Sequence, residues 1–368
     1  MTVTRSRAPR LALTAVAVAA ALLLSACGAT PAPAPAAPVA TTTPGATTAA
    51  LPDPLSLRGS STAKSIASVV PIETTVTPVL PVTVKDVSGK SVTITDASRI
   101  IALDLYGTLA ETVIGLGLGD NLVGRGSNNT LPTMTKLPVV TQNGHELNGE
   151  AILALKPTVI LTDTSIGPRE VQDQLRDAGI AVVFFDPNRS LDAVGPQIKA
   201  VAHALGIDAA GTELAARSEQ EITEATADIA ATAPSDPAKR LKVAFLYVRG
   251  NGSIFFILGK GMGADDLIQS LGAEDVATEA GIEGAKPANS EALLALNPDL
   301  VITMTSGLKS TGGLDGLLKR PGMSDTTAGQ NHRIVDMNDG QVLSFGPTTG
   351  QVLRSLADAI YAPTKLRP

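Results

Sequence analysis

The sequence predicts an α/β protein: two doubly wound α/β lobes joined by one long helix, with a ligand cleft between the lobes. Three observations carry this. NGEAILALKPTVILT at 148–162 recurs as NSEALLALNPDLVIT at 289–303, and eight of the fifteen positions are identical in register. Short β-branched runs alternate with helix-like or glycine-rich sequence in both halves, the pattern of sheets covered by helices. Between the halves DAAGTELAARSEQEITEATADIAAT, 208–232, is rich in Ala and Glu and free of proline, and TAPSDPAKR then closes it with turn residues.

The chain opens on the basic stretch MTVTRSRAPR, followed by fourteen uncharged residues, Leu11 to Leu24, and then LSAC at 24–27. Fourteen residues rise only about 21 Å as a helix, short of a bilayer's hydrocarbon core of about 30 Å, so residues 1–27 read as a signal peptide. Cys27 is the only cysteine, which excludes an internal disulfide, and its place after Leu24-Ser25-Ala26 resembles a lipobox. Lipidation there would tether the protein to the outer face of the cytoplasmic membrane. Residues 28–80 begin with an Ala/Pro/Thr-rich run that cannot bury enough surface to offset ordering entropy, and the whole segment is expected to be a disordered tether.

The first lobe is assigned to 81–206, the joining helix to 207–235 and the second lobe to 236–368. The expected strands are RIIALD, AVVFFD, KVAFLYV and RIVDM, together with the TVILT and DLVIT that end the two repeats. In each repeat Asn148 or Asn289 suits a helix N-cap, and Glu150 or Glu291 suits the positive helix start.

After the leader, 26 basic residues face 35 acidic ones. That balance argues against nucleic acid as a partner. GxSxG, HExxH, P-loop and strand-linked GxGxxG motifs are lacking, so an enzyme has little support. Three scattered histidines do not suit a dedicated zinc or manganese site either.

The lipobox, VKDVSGKSVTI followed by RIIAL, LGLGDNLVGR, and the two copies of the repeat identify a resemblance that runs from about Pro81 to Ala362. The chain resembles the substrate-binding lipoproteins of ABC importers whose lobes share one backbone helix and which carry haem, iron-siderophores or vitamin B12. NGHELNGEAILAL, FLYVRGNG and GGLDGLLKRPGMSDTTAG are similar to the haem-binding lipoproteins of Gram-positive haemin importers in particular. That resemblance implies haem b, as Fe(III) haemin, for a transported ligand, with His145 and Tyr247 as axial iron ligands and Arg249 contacting the tyrosine. It also implies that Glu150 and Glu291 meet a permease, which works with its ATPase, and that the protein acts as a monomer. FGPTTG at 345–350 departs from the pattern, which has an arginine after the proline, and this bears on the haem propionate contacts. A ferric-siderophore or corrinoid binder of the same fold is the alternative.

The residues themselves support part of this. Alternation along KVAFLYVR puts Val243, Phe245, Tyr247 and Arg249 on one face, with the last two at the strand's carboxyl end, where open α/β sheets bind ligands. A phenolate suits Fe(III), and a neighbouring guanidinium stabilises it. His145 lies in a loop ahead of the helix that Asn148 caps, where a neutral imidazole can take an iron position. Tyr106, Phe255, Phe256 and Met262 are candidate pocket walls, and Arg125 and Lys260 candidate cations.

Overall fold

The runs IIAL, VILT and AVVF consist almost wholly of β-branched, Leu, Ala and Phe side chains, and nearly every one is buried, as befits strands covered on both faces. The computed structural model describes residues 51–250 and 254–367. In it these runs form a four-stranded parallel sheet in the order Leu122–Gly124, Ile100–Leu103, Val159–Thr162, Ala181–Phe184. This is the core of the first lobe.

The second lobe holds a seven-stranded sheet. Ile334–Met337, Leu300–Met304 and Lys242–Arg249 are parallel neighbours at its centre. Ile254–Leu258 then turns back antiparallel to Lys242–Arg249, and Ala285–Pro287 pairs with it. The hairpin strand Ile254–Leu258 was not among the expected strands.

The lobes are joined by the helix Asp208–Thr232, 25 residues and therefore about 37 Å long. Glycines let its neighbours approach closely. A Cβ on Gly211 would lie 2.4 Å from the Ala202 Cβ in the first-lobe helix Leu191–Ala204. A Cβ on Gly350, in the last helix Thr349–Tyr361, would lie 2.6 Å from the Glu221 carbonyl oxygen. The joining helix is thus packed on a helix of each lobe.

The expected tether over 28–80 needs correction over its described part, 51–80. Ser61–Thr62 adds a parallel strand to the edge of the second-lobe sheet, in register with Val335 and Asp336. From there the chain passes the joining helix, where Arg217 bonds the Val70 and Pro71 carbonyls, and reaches the first lobe, where the Ile72 amide donates to the Gly115 carbonyl at 2.9 Å. Ala63, Val69 and Ile72 are buried in the main core. These sparse apolar residues have no period of their own. They are ordered by a surface that the rest of the chain has already built, which composition cannot reveal. Residues 1–50, with the signal segment, Cys27 and the Ala/Pro/Thr run, lie outside the described residues.

Candidate functional site

The strand Lys242–Arg249 alternates as expected. Val243, Phe245 and Tyr247 face the main core, while Ala244, Leu246 and Val248 face a second cluster under the opposite side of the sheet. Tyr247 is half-buried near the strand's end. The Arg249 guanidinium carbon sits 5.0 Å from the centre of the Tyr247 ring, so the contact between them is cation–π in form.

Arg249 is tied down on several sides. Its Nη1 lies 2.7 Å from Asp339 Oδ2, and its Nη2 lies 3.3 Å from Met304 Sδ. A Cβ on Gly307 would be 2.7 Å from Arg249 Nη1, so glycine leaves room for the guanidinium. Asp339 is itself anchored, accepting from the Ser306 amide at 2.7 Å through Oδ1.

Phe256 is the cross-strand neighbour of Tyr247 and shares its face. Phe255 pairs with Val248 instead, and its ring packs on the other side, with Arg320 5.7 Å away. Phe255 is therefore removed from the candidate pocket, because consecutive residues of a strand face opposite sides of the sheet. Met262 packs against the main core, and Lys260 is exposed, held by backbone bonds to Ile282 and Gly284. The Arg125 guanidinium turns back on its own loop, with Nη1 3.2 Å from the Asn129 carbonyl, and is only half-buried.

His145 lies in the turn of the small hairpin Thr141–Gln142/Glu146–Leu147 and is exposed. Its Nδ1 is 3.1 Å from the Asn143 carbonyl. A carbonyl can only accept, so Nδ1 is the donor in this contact, the kind of hydrogen bond that orients a metal-ligating imidazole. The Asn128 side-chain amide ties this hairpin to the Tyr106 loop, donating to the Leu105 and Gly144 carbonyls at 3.0 and 3.2 Å.

The first-lobe loops beyond the strand ends hold a polar cluster that sequence reasoning missed. Arg189 Nη2 is 2.7 Å from Asp163 and 3.4 Å from Asp104, all three buried. Burial, then Asp104, pushes the Asp163 carboxyl up, against the opposing pull of Arg189. Asp104 also accepts from the amides of Tyr106, Thr108 and Leu109 at the start of the helix Thr108–Gly115. The Tyr106 phenol is pushed up to about 12, by burial first and then by Tyr247, with Asp104 and Asp163 adding and Arg189 opposing. A usable signal existed, since IIALD and VILTD both put an aspartate right after a buried strand.

The two lobes meet at this level. A Cβ on Gly340, next to Asp339, would lie 2.2 Å from the Asn128 carbonyl, so the loop carrying Asp339 abuts the residue that holds the His145 hairpin. Thr130 and Asn338 hydrogen-bond at 3.1 Å, and Asp266 accepts from the Leu191 amide. Thr348, where an arginine was expected, is buried and donates to Glu111 of the first lobe at 3.0 Å. That position is thus occupied by an inter-lobe contact. Elsewhere, Glu150 and Glu291 are exposed in the first turns of the helices Gly149–Ala154 and Ser290–Leu296, which Asn148 and Asn289 cap alike. Among the described residues no cluster of three or more His, Cys, Asp and Glu could hold a bare metal ion, and no helix is long and apolar enough to cross a membrane.

The chain matches the family described as periplasmic binding protein over residues 103–339. It is 29% identical over 290 residues to the uncharacterized ABC transporter substrate-binding lipoprotein YvrC of Bacillus subtilis, covering 78% of this chain and 88% of that one. A vitamin B12-binding protein of Yersinia pestis is 35% identical over 91 residues, 25% of this chain and 32% of that one. Among solved structures, the haem-binding protein HmuT has a TM-score of 0.82 at 47% identity, covering 84% of this chain and 100% of that one. HmuT has also been solved with a histidine, with a tyrosine, and with an arginine two residues after that tyrosine each changed to alanine. The periplasmic haem-binding protein RhuT from Roseiflexus sp. RS-1 has a TM-score of 0.67 at 37% identity, covering 73% of this chain and 100% of that one. The chain belongs to the periplasmic binding protein family.

Proposed function

We propose that this protein is an exported, lipid-anchored solute-binding protein that captures haemin between its lobes and delivers it to an ABC permease. His145 from the first lobe and Tyr247 from the second would be the axial iron ligands, and Arg249 would hold and stabilise the tyrosinate. The observation that carries the reading is the Tyr247–Arg249 pair at a strand's carboxyl end, with the guanidinium 5.0 Å from the ring centre. Its spacing repeats the tyrosine and arginine changed in HmuT.

Other features fit. Haem is a flat, mostly apolar ligand, and Phe256 and Met262 offer apolar surface on the Tyr247 side of the sheet. With Nδ1 donating to the Asn143 carbonyl, His145 would offer Nε2 to a ferric ion. The exposed glutamates Glu150 and Glu291, built into equivalent helix starts on the two lobes, would meet basic residues of the permease, and a lipid on Cys27 would keep the protein at the membrane's outer face.

The short stretch shared with a vitamin B12-binding protein keeps a corrinoid as the second reading. Equilibrium dialysis of the purified protein against haemin, cyanocobalamin and a ferric siderophore separates the two. Saturable one-to-one retention of haemin alone is expected; retention of the corrinoid or the siderophore in its place would overturn the haem reading.

A further inference from the structure

We propose that Asp339 is a positioning residue for the iron-ligating tyrosine, acting through Arg249; this rests on the haem reading above. Neither the repeat nor the strand pattern points to Asp339, which lies 90 residues beyond Arg249 in the chain. The geometry does. Asp339 is 8% exposed, and its two oxygens have separate tasks. Oδ1 accepts from the Ser306 amide at 2.7 Å, which fixes the carboxylate. Oδ2 then sits 2.7 Å from Arg249 Nη1.

Arginine has a long, flexible side chain, and at the end of a strand it would ordinarily extend into water. Here three features hold the guanidinium beside the Tyr247 ring. The Asp339 carboxylate draws it inward, Met304 Sδ lies 3.3 Å from its Nη2, and Gly307 lacks the Cβ that would collide with Nη1. Of the three, Asp339 alone bonds it by a charge-assisted contact, which combines strength with direction. The same carboxylate also has an electrostatic effect of opposite sign, since it partly cancels the cation that a phenolate would use. Positioning and cancellation therefore predict opposite outcomes when the charge is removed.

The test compares haemin release from the full-length protein to excess apomyoglobin, followed at the Soret band, for wild type, Asp339→Asn, Asp339→Glu, Arg249→Ala and the double variant Asp339→Asn/Arg249→Ala. Release from Asp339→Asn is expected to be faster, on the order of tenfold, as when an orienting partner of a metal ligand is lost. Asp339→Glu, which keeps the charge but displaces it, should fall between. In the Arg249→Ala background Asp339→Asn should change nothing further, because its effect runs through the guanidinium. Thermal unfolding of each apoprotein shows whether the fold is kept, and if Asp339→Asn does not fold, Asp339→Glu alone and combined with Arg249→Ala carries the test. Unchanged or slower release from a folded single variant would overturn the proposal, as would an undiminished effect without Arg249. If wild type takes up haemin and the variants do not differ, the role of Asp339 falls and the haem reading stands. If wild type takes up none, both fall.

Discussion

Glu111 in the first lobe and Thr348 in the second share a buried hydrogen bond of 3.0 Å. Burial, opposed by the Thr348 and Ser344 hydroxyls and reinforced by Asp104, pushes this carboxyl up to about 8. It is therefore neutral in the folded protein at neutral pH. Because the folded value lies above the unfolded one, the unfolded chain ionises first as pH rises. Its contribution is present in full below about pH 4.5 and is lost progressively up to about pH 8, by at most about 1.4 kcal/mol per pH unit. Urea unfolding of wild type and Glu111→Gln across pH 5–8 should show wild type losing stability relative to the variant as pH rises. A parallel pair of curves would contradict the assignment.

Gly340 meets the Asn128 carbonyl so closely that a Cβ would sit 2.2 Å from it. Gly340→Ala should force the two loops apart and destabilise the apoprotein by about 1–3 kcal/mol. Small-angle scattering should report a larger radius of gyration if the lobes also part. An alanine variant with wild-type unfolding would mean that the loops separate freely.

Ile72 lies in a segment that composition alone assigned to a tether, yet it is 6% exposed and bonds the first lobe. Ile72→Ala should cost roughly 2–4 kcal/mol in urea unfolding. A tether residue would cost nothing, so the same measurement separates the two descriptions of 51–80.

Glu150 and Glu291 are exposed, and each adds only about 0.3–1 kcal/mol to its own helix start. Glu150→Ala combined with Glu291→Ala should leave haemin binding intact and depress haemin-dependent growth of cells carrying the importer. Normal uptake at normal protein levels would remove their docking role.

The parts of the molecule legible in the sequence were those governed by local pattern. IIAL, VILT and DLVIT are read as strands because β-branched runs buried on both faces need no partner to be recognised, and Asn148 and Asn289 cap their helices as their positions imply. The shared face of Phe245 and Tyr247 follows from a period of two. Phe255 was misplaced because the strand Ile254–Leu258 was not recognised, and in a strand Phe255 and Phe256 must face opposite sides. The Ser61–Thr62 strand, the Arg249–Asp339 pair and the Asp104–Arg189–Asp163 cluster were hidden for a common reason: each joins residues far apart in the chain, and none has a repeating spacing.

Ligation of haemin by residues from opposite lobes is the central claim, and a haemin titration followed at the Soret band tests it most directly, for wild type, Tyr247→Ala and His145→Ala. Wild type should saturate at one equivalent. Tyr247→Ala should bind at least about tenfold more weakly with a shifted band, and His145→Ala should change the band in a different way, because each removes a different axial atom. Identical titrations and spectra for all three proteins would contradict the account.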